Sequence, residues 1–403
     1  MIRFLTAGES HGKALTTIIE GFPSNIKIEN EYINLHLKRR QAGYGRGLRM
    51  KIETDTAEIL SGIRFQKTLG SPISLLIKNR DWENWTEKMT SDKRKSIVEK
   101  ITIPRPGHAD LVGVSKYNFD DIRNSIERSS ARETAARVGA ATIARRFLEE
   151  FGISIGSFVE SIGGIYPKQN FASNLFDNKL PKDFTGWSLS AKADKSDVRV
   201  LDDEHEKLII NKIKLAKKRG DTLGGTFFVV VTGVPLGLGS FVHYDTKLDA
   251  ELAQSVMSIN AVKAVSIGTG FETAEKFGSE SHDEIIKKGD LITRKTNRAG
   301  GIEGGTSTGL PIIIRAAMKP IATLMSPIES VDLKTMKAVD ARRERSDFVA
   351  VPACAVIAES MAAWSIAKFF LEKFGGDSLE ETKDNYSNYT KKLFTRVNRN
   401  FKG

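Results

Sequence analysis

Apolar and polar positions change period repeatedly along the 403 residues. Short β-branched runs give way to longer segments with helical spacing and then return. A strand is predicted over 14–20, running into Gly21 and Pro23, and a helix over 31–40. Residues 50–78 predict two or three strands with turns at Gly62 and at Gly70-Ser71-Pro72. The charged stretch 79–100, with Trp82 and Trp85, predicts a surface helix pair. The clearest helix is 130–151: Ser130 and Glu133 have capping-box spacing, Gly152 stops the segment, and its alanines predict a close neighbour, backbone or ligand. The unbroken apolar run 224–234 predicts a buried strand, 248–257 a helix, and 264–267 and 310–316 further strands. Pro352 opens a long alanine-rich helix to Phe374 that Gly375-Gly376 ends.

This alternation, with no 20–50-residue repeat and no Pro- or Ser-rich linker, predicts one α+β body over 1–403. Two segments stand apart. Residues 166–208 are polar and irregular and read as an insert or flap, and the polar tail 377–403 is expected to fray.

Composition narrows the class. No window reaches 18 uncharged apolar residues, and the strongest candidate, 348–358, ends at Glu359, so no membrane span is expected. Cys354 is the single cysteine, which rules out an internal disulfide and a cysteine metal site. The six histidines lack H-x-x-x-H spacing, so no metal site is expected. Only Met1–Leu5 precede a glycine-rich segment, too short for a secretory h-region, and a cytoplasmic enzyme is the expectation.

The net charge of +11 fits either a nucleic-acid surface or an anionic substrate. Many lysines, among them Lys93, Lys100, Lys212 and Lys217, fall in helix-like stretches and read as a solvated face. Arginines instead cluster among Gly, Ser and Pro: Arg40, Arg46 and Arg49 around "RQAGYGRGLR", Arg105 in "PRPGHAD", Arg128 and Arg132 in "ERSSARE", and Arg342, Arg343 and Arg345 in "ARRERSD". A guanidinium fork beside free backbone N–H groups suits a small phosphate or carboxylate. No basic stripe with interleaved aromatics appears, which argues against nucleic acid. The competing reading pairs each arginine with a neighbouring acid, such as Arg128 with Glu127.

Two of the histidines lie in tight polar turns, His11 in "GESHG" and His108 in "RPGHAD", and are the candidates for proton transfer. His36, His205, His243 and His282 have ordinary settings. Ser10 beside His11 lacks a nucleophile elbow. "GGIEGGTSTG", 300–309, is glycine-rich enough to cradle a phosphate, yet it matches neither a P-loop nor a dinucleotide fingerprint. On these residues alone a flavin or nucleotide binder, a phosphosugar transferase and a basic RNA-binding module remain open.

Taken in order, "GESHG", "RRxxGYGRGxRM", "RPGHADLVG", "RSSARET", "GDTLGG", "SINAVK", "GGIEGG", "MKPIAT" and "RERSD" run from residue 8 to residue 347. Their order and spacing resemble the chorismate synthase family. The resemblance implies a β-α-β sandwich, with helices between antiparallel sheets, and a homotetramer. It implies a lyase that takes 5-enolpyruvylshikimate 3-phosphate to chorismate and phosphate with reduced FMN, the last common step of the shikimate pathway to the aromatic amino acids. It makes His11 the acid at the departing phosphate, His108 the group beside the flavin N1/O2, and Asp347 a helper in removing the N5 proton. Substrate anions are expected at Ser10, Arg40, Arg46, Arg49, Arg105 and Arg132, and NADP at Arg40 and Arg46. FMN is expected at Arg128, Ser129, Ser130, Asn260, Ala261, Gly304, Lys319, Pro320, Ile321, Ala322, Thr323 and Arg345. The reducing equivalents come from NADPH on this chain or from an external flavin reductase, two alternatives the sequence leaves open. No nucleic-acid or membrane partner is expected.

Overall fold

The β-branched run Ala14–Glu20 is a strand over the predicted residues, and its alternation turns Leu15, Thr17 and Ile19 inward. A computed structural model describes residues 1–47, 54–93, 96–289, 291–343 and 347–401 of the chain. In it Ala14–Glu20 pairs antiparallel with Arg3–Ala7 on one side and Ile73–Lys78 on the other, and Ala57–Ser61 completes a four-stranded sheet. A second antiparallel sheet has the order Ser154–Ile162, Gly225–Thr232, Ile312–Met318, Val262–Ile267. Between the sheets lie the helices Thr134–Glu149 and Val351–Phe374, packed on each other, with Asn30–Gln41 and Leu248–Met257 beside them. The α+β sandwich expected from the sequence is the observed fold.

Both central helices are alanine-rich because each is enclosed. Ala135, Ala140, Ala141 and Ala144 on one and Ala355, Ala358, Ala362 and Ala363 on the other are buried, and small side chains let helix axes approach closely. Val351–Phe374 has the length and mean hydropathy of a membrane span, but nearly all of it is buried inside the protein. Its single charged residue before Lys368, Glu359, meets buried arginines (below). Pro352 stands in the first turn and Gly375 follows the last, as predicted.

The predicted helix 130–151 is split. Helix Arg123–Ser129 ends at Ser130, whose backbone is extended; a 3-10 turn, Ala131–Glu133, follows, and Thr134–Glu149 then begins. The capping box does not form. Ser130 Oγ accepts from the Arg132 N–H at 3.3 Å, while Glu133 accepts from Arg137 and from the Thr6 hydroxyl. The tertiary partners outweigh the local one, and the break brings Ser130 against Ser10 of the N-terminal loop and Arg132 against Asn79 and Asp55.

Residues 166–208 are not an irregular flap. They contain helices Ala172–Phe176 and Gly186–Ala193 and the start of Asp203–Arg219. These helices cover the outer face of the second sheet, where Leu175, Leu189 and Ala193 pack on Phe158, Phe228, Val230 and Ile313. Phe227, Val229 and Val231 face the central helices, so the unbroken run near 225–232 reflects a strand buried on both faces. At the crossing, a Cβ on Gly156 would lie 1.7 Å from the Gly186 carbonyl oxygen, which leaves no room for any side chain.

The tail also departs from expectation. Leu379–Phe401 is a helix; Tyr386 packs edge-on against Phe151 and Phe374, and Lys383 Nζ donates to Glu150 at 2.6 Å. The expected helix pair in 79–100 is one 3-10 stretch, Arg80–Asn84, and one turn, Thr86–Met89. The glycines of 300–309 serve backbone geometry. Gly304 and Gly305, at φ +58° and +80°, form the two-residue turn between strands Ile302–Glu303 and Thr306–Ser307.

Candidate functional site

The loop between the first two strands carries Ser10 and His11, and the helix end at 127–132 lies against it. Ser10 N–H donates to the Glu127 carbonyl at 3.0 Å, and Ser130 Oγ donates to Ser10 Oγ at 3.1 Å. His11 Nδ1 stands 3.0 and 2.9 Å from the two Glu127 carboxylate oxygens. Its backbone N–H donates to Oε2 of the same residue at 2.8 Å. Trp85 stacks on the other side of the ring, centroids 3.9 Å apart, and Arg123 lies over the far face of the indole region, 5.0 Å from its centroid.

Asn79 closes the loop from below, its Nδ2 donating to the Glu9 and Gly12 carbonyls at 3.0 and 2.7 Å. Its Oδ1 accepts from Arg132 Nε at 3.0 Å. Arg132 also donates to Asp55, whose other oxygen accepts from Arg40 Nη2 at 2.8 Å. Burial would raise the Asp55 carboxyl, but the two guanidiniums outweigh it and hold its pKa below the usual carboxylate range. Two arginines on one carboxylate leave a net positive charge in a buried place. Burial accordingly lowers the Arg40 pKa, and Arg132 and Arg46 add repulsion. Arg46 Nη1 pairs with Asp347 Oδ2 at 3.1 Å, and Gly47 N–H donates to Asp347 Oδ1 at 2.5 Å.

A second group centres on Asp110. Arg105 donates to it through its backbone N–H and Nε at 2.9 Å each and through Nη2 at 3.1 Å. His108 Nδ1 lies 2.5 Å from Asp110 Oδ1. Burial raises the Asp110 carboxyl, and the His108 and Arg105 hydrogen bonds reverse this and hold it far below the ordinary range. Because an ionised carboxylate only accepts, the 2.5 Å contact with Asp110 Oδ1 requires the imidazole Nδ1 to carry the hydrogen. The 3.1 Å separation of Arg105 Nη2 from His108 Nδ1 is then two donors meeting at one oxygen.

The other candidates bridge these groups. Asn260 Nδ2 donates to the Ser129 carbonyl at 3.0 Å. Lys319 N–H donates to the Ala261 carbonyl at 2.9 Å, and Lys319 Nζ donates to the Gly107 carbonyl beside His108. Thr323 Oγ1 lies 3.4 Å from Arg105 Nη1, and the Ile321 carbonyl accepts from Thr222. Ala322 lines a small crevice with Pro106 and Arg342. Burial, followed by repulsion from Arg105 and Arg123, lowers the Arg342 pKa, so this arginine sits between the two histidine groups. Arg128 donates to the Thr6 and Gly8 carbonyls at 2.9 and 3.1 Å. The Arg128–Glu127 pairing that sequence adjacency suggested does not form, since Glu127 faces His11.

Gly304 stands apart, at its hairpin turn beside Phe241. Arg49 and Arg345 lie outside the described residues. Among the described residues no group of His, Cys, Asp or Glu is arranged to hold a metal ion. The remaining histidines are elsewhere: His36 is buried next to Arg39 and Arg145, His205 meets the Ile165 carbonyl, and His243 pairs with Asp245 on the surface.

Sequence reading missed Glu127, Asp110, Asp55, Asn79 and Trp85. Asp110 stood two residues from His108 and was legible as a partner. Asp55 and Asn79 carry no local signal, because their partners are 77 and 53 residues away.

The donor set at Asn260 suits a flavin. Asn260 Oδ1 is buried and has no hydrogen-bond partner among the described residues, and it neighbours Ser129 and Ala261. A buried orphan acceptor is costly unless something donates to it, and the imide N–H of an isoalloxazine is such a donor. The residues present fit the group.

Comparison with known proteins gives a consistent result. A family model described as chorismate synthase matches residues 2–371. A chorismate synthase from Chlorobaculum tepidum is 55% identical over 398 residues, covering 98% of this chain and 99% of that protein. One from Aquifex aeolicus is 52% identical over 390 residues, covering 96% and 97%. A solved structure titled "Crystal Structure of Chorismate Synthase" superposes with a TM-score of 0.78 at 42% identity, covering 98% of each chain.

Proposed function

Because the chain belongs to the chorismate synthase family, we propose that it converts 5-enolpyruvylshikimate 3-phosphate to chorismate and phosphate by 1,4-elimination. It is an enzyme, and on this reading a carbon–oxygen lyase dependent on reduced FMN. The observation that carries the proposal is the contact path through the candidate residues. Glu127, His11, Ser10, Ser130, Arg132, Asp55 and Arg40 follow one another through hydrogen bonds, ion pairs and the chain link between Ser10 and His11, and Arg46, whose charge acts on Arg40, pairs with Asp347. They come from five separated stretches of sequence, and the reading makes His11 and Asp347 the proton-transfer groups beside a cationic interior.

In the reaction a proton leaves carbon to a base, the C–H electron pair forms one new double bond, the existing ring double bond shifts by one position, and the C–O bond to phosphate breaks with its electron pair leaving on oxygen. His11 supplies a proton from Nε2 to a departing phosphate oxygen, which lowers the cost of expelling a dianion. Arg40, Arg46, Arg105 and Arg132 hold the substrate anions, each oriented beforehand by Asp55, Asp347 or Asp110, so little reorganisation is needed on binding. Ser129, Ser130, Asn260, Ala261 and the 319–323 segment would hold FMN, with Asn260 Oδ1 as acceptor. When bound, reduced FMN supplies an electron-rich centre without net oxidation. With the cofactor bound, His108 would hold a proton for its N1/O2 edge, and Asp347 would help remove its N5 proton.

A homotetramer in the cytoplasm completes the reading, on the resemblance to the family. Anaerobic incubation with reduced FMN and 5-enolpyruvylshikimate 3-phosphate tests the function: chorismate and phosphate should appear together, and only with reduced flavin. Flavin binding without turnover would favour a flavoprotein of another kind. Turnover in air with NADPH and FMN alone would assign the reductase activity to this chain; turnover restricted to added reductase would assign it to a partner.

A further inference from the structure

The Glu127 carboxylate is almost fully buried, 1% exposed, and Arg123 Nη1 stands 3.7 Å from it, beyond hydrogen-bond distance. Its hydrogen bonds go to His11: Oε2 accepts the backbone N–H, and both oxygens lie within 3.0 Å of Nδ1. A carboxylate only accepts, so Nδ1 must carry the hydrogen. Among the described residues Nε2 has no hydrogen-bond partner, and Trp85 stacked on the ring prevents rotation about the Cβ–Cγ bond. His108 is held in the same way by Asp110. We infer that Glu127 is a positioning residue: it fixes His11 as the Nδ1–H form, so that Nε2 is the nitrogen that exchanges the proton, and it stabilises the imidazolium from which that proton leaves. The inference rests on His11 being the acid of the proposed reaction.

The geometry yields a sharp test in Glu127→Leu. Glutamine would not serve, because an amide oxygen in the place of Oε2, 2.9 Å from Nδ1, could still accept its hydrogen. Leucine removes both oxygens, so Nδ1–H loses its carboxylate acceptor. The test is nitrogen-15 NMR of histidine-labelled protein, with His11 assigned by its absence in His11→Gln. Neutral His11 should be protonated at Nδ1 in the wild type and should populate the Nε2–H form in Glu127→Leu. Turnover should fall by about tenfold or more, part of the ~10²–10⁴ that a general acid contributes, with KM nearly unchanged. Glu127→Asp should keep the Nδ1–H form and much of kcat, which also covers a Leu variant that folds poorly. An unchanged tautomer, or an unchanged kcat with a changed tautomer, overturns the inference. Full activity in His11→Ala would instead overturn the catalytic reading itself, so the two failures are distinguishable.

Discussion

The indole of Trp85 lies nearly parallel to the imidazole of His11, at an interplanar angle of 26° and a centroid distance of 3.9 Å. A tryptophan in a charged surface stretch is therefore part of the ring's support. Stacked aromatic pairs contribute about 0.5–1.5 kcal/mol beyond area burial. Trp85→Ala should thus lower kcat by roughly three- to tenfold, through loss of ring orientation, with smaller losses for Trp85→Phe. Steady-state kinetics check this; equal kcat in both variants and the wild type would deny the stacking any role.

His11→Ala and His108→Ala should each lower turnover by about 10²-fold or more, the scale of one general acid–base group. His282→Ala and His243→Ala should change it little, since both side chains lie outside the contact path. Single-turnover chorismate formation under anaerobic conditions measures all four. Equal losses at all four would refute the placement of the site.

His36 is buried beside Arg145 and Arg39, and burial followed by repulsion from these two guanidiniums lowers its pKa well below 6.5. The folded state therefore keeps it neutral while the unfolded chain binds a proton below pH 6.5. Stability from this group is full above 6.5 and declines as pH falls below it, by up to ~1.4 kcal/mol per pH unit for one proton. Urea unfolding at several pH values should show a shallower acid decline for His36→Gln than for the wild type, with turnover retained. Parallel declines would remove His36 as a contributor.

Glu359, on the enclosed helix, accepts from Arg39 Nη1 and Nη2 at 2.8 and 2.9 Å, from Arg145 Nη1 at 2.8 Å and from Arg199 Nη2 at 3.1 Å. Burial raises its carboxyl, and the guanidiniums reverse this and hold it far below the carboxylate range. Burial also lowers the Arg199 guanidinium to about 9. Glu359→Ala would leave three buried cations, with Asp194 paired to Arg39 and Arg199, and should cost about 3–5 kcal/mol, read as a lower urea midpoint. A change below about 1 kcal/mol would mean that water or rearrangement satisfies the cluster.

The local pattern was enough for the regular elements. Leu248–Met257 and Ala14–Glu20 occupy the predicted residues, and Val351–Phe374 differs by one residue at its start, because their periodicity, proline and glycine signals act within a few residues. His11, His108, Ser10 and the loop arginines stood out as candidates, since Gly-rich turns place polar side chains where backbone can approach a ligand. Where local and distant partners compete, the pattern failed. The Ser130–Glu133 capping box lost to Thr6 and Arg137, and polar residues 166–208 fold into helices because the doubly buried strand Gly225–Thr232 offers them an apolar face.

The sequence by itself thus determined the element order, the α+β class and the identity of the chemical groups, all of which depend on neighbours along the chain. Tertiary structure alone decided their pairing. Asp55 joins Arg40 to Arg132, Glu127 turns from adjacent Arg128 to His11, and Asp110 takes Arg105 and His108 together. A charge or hydrogen bond depends on distance in space, and only packing the helices between the two sheets makes residues 116 positions apart, His11 and Glu127, immediate neighbours.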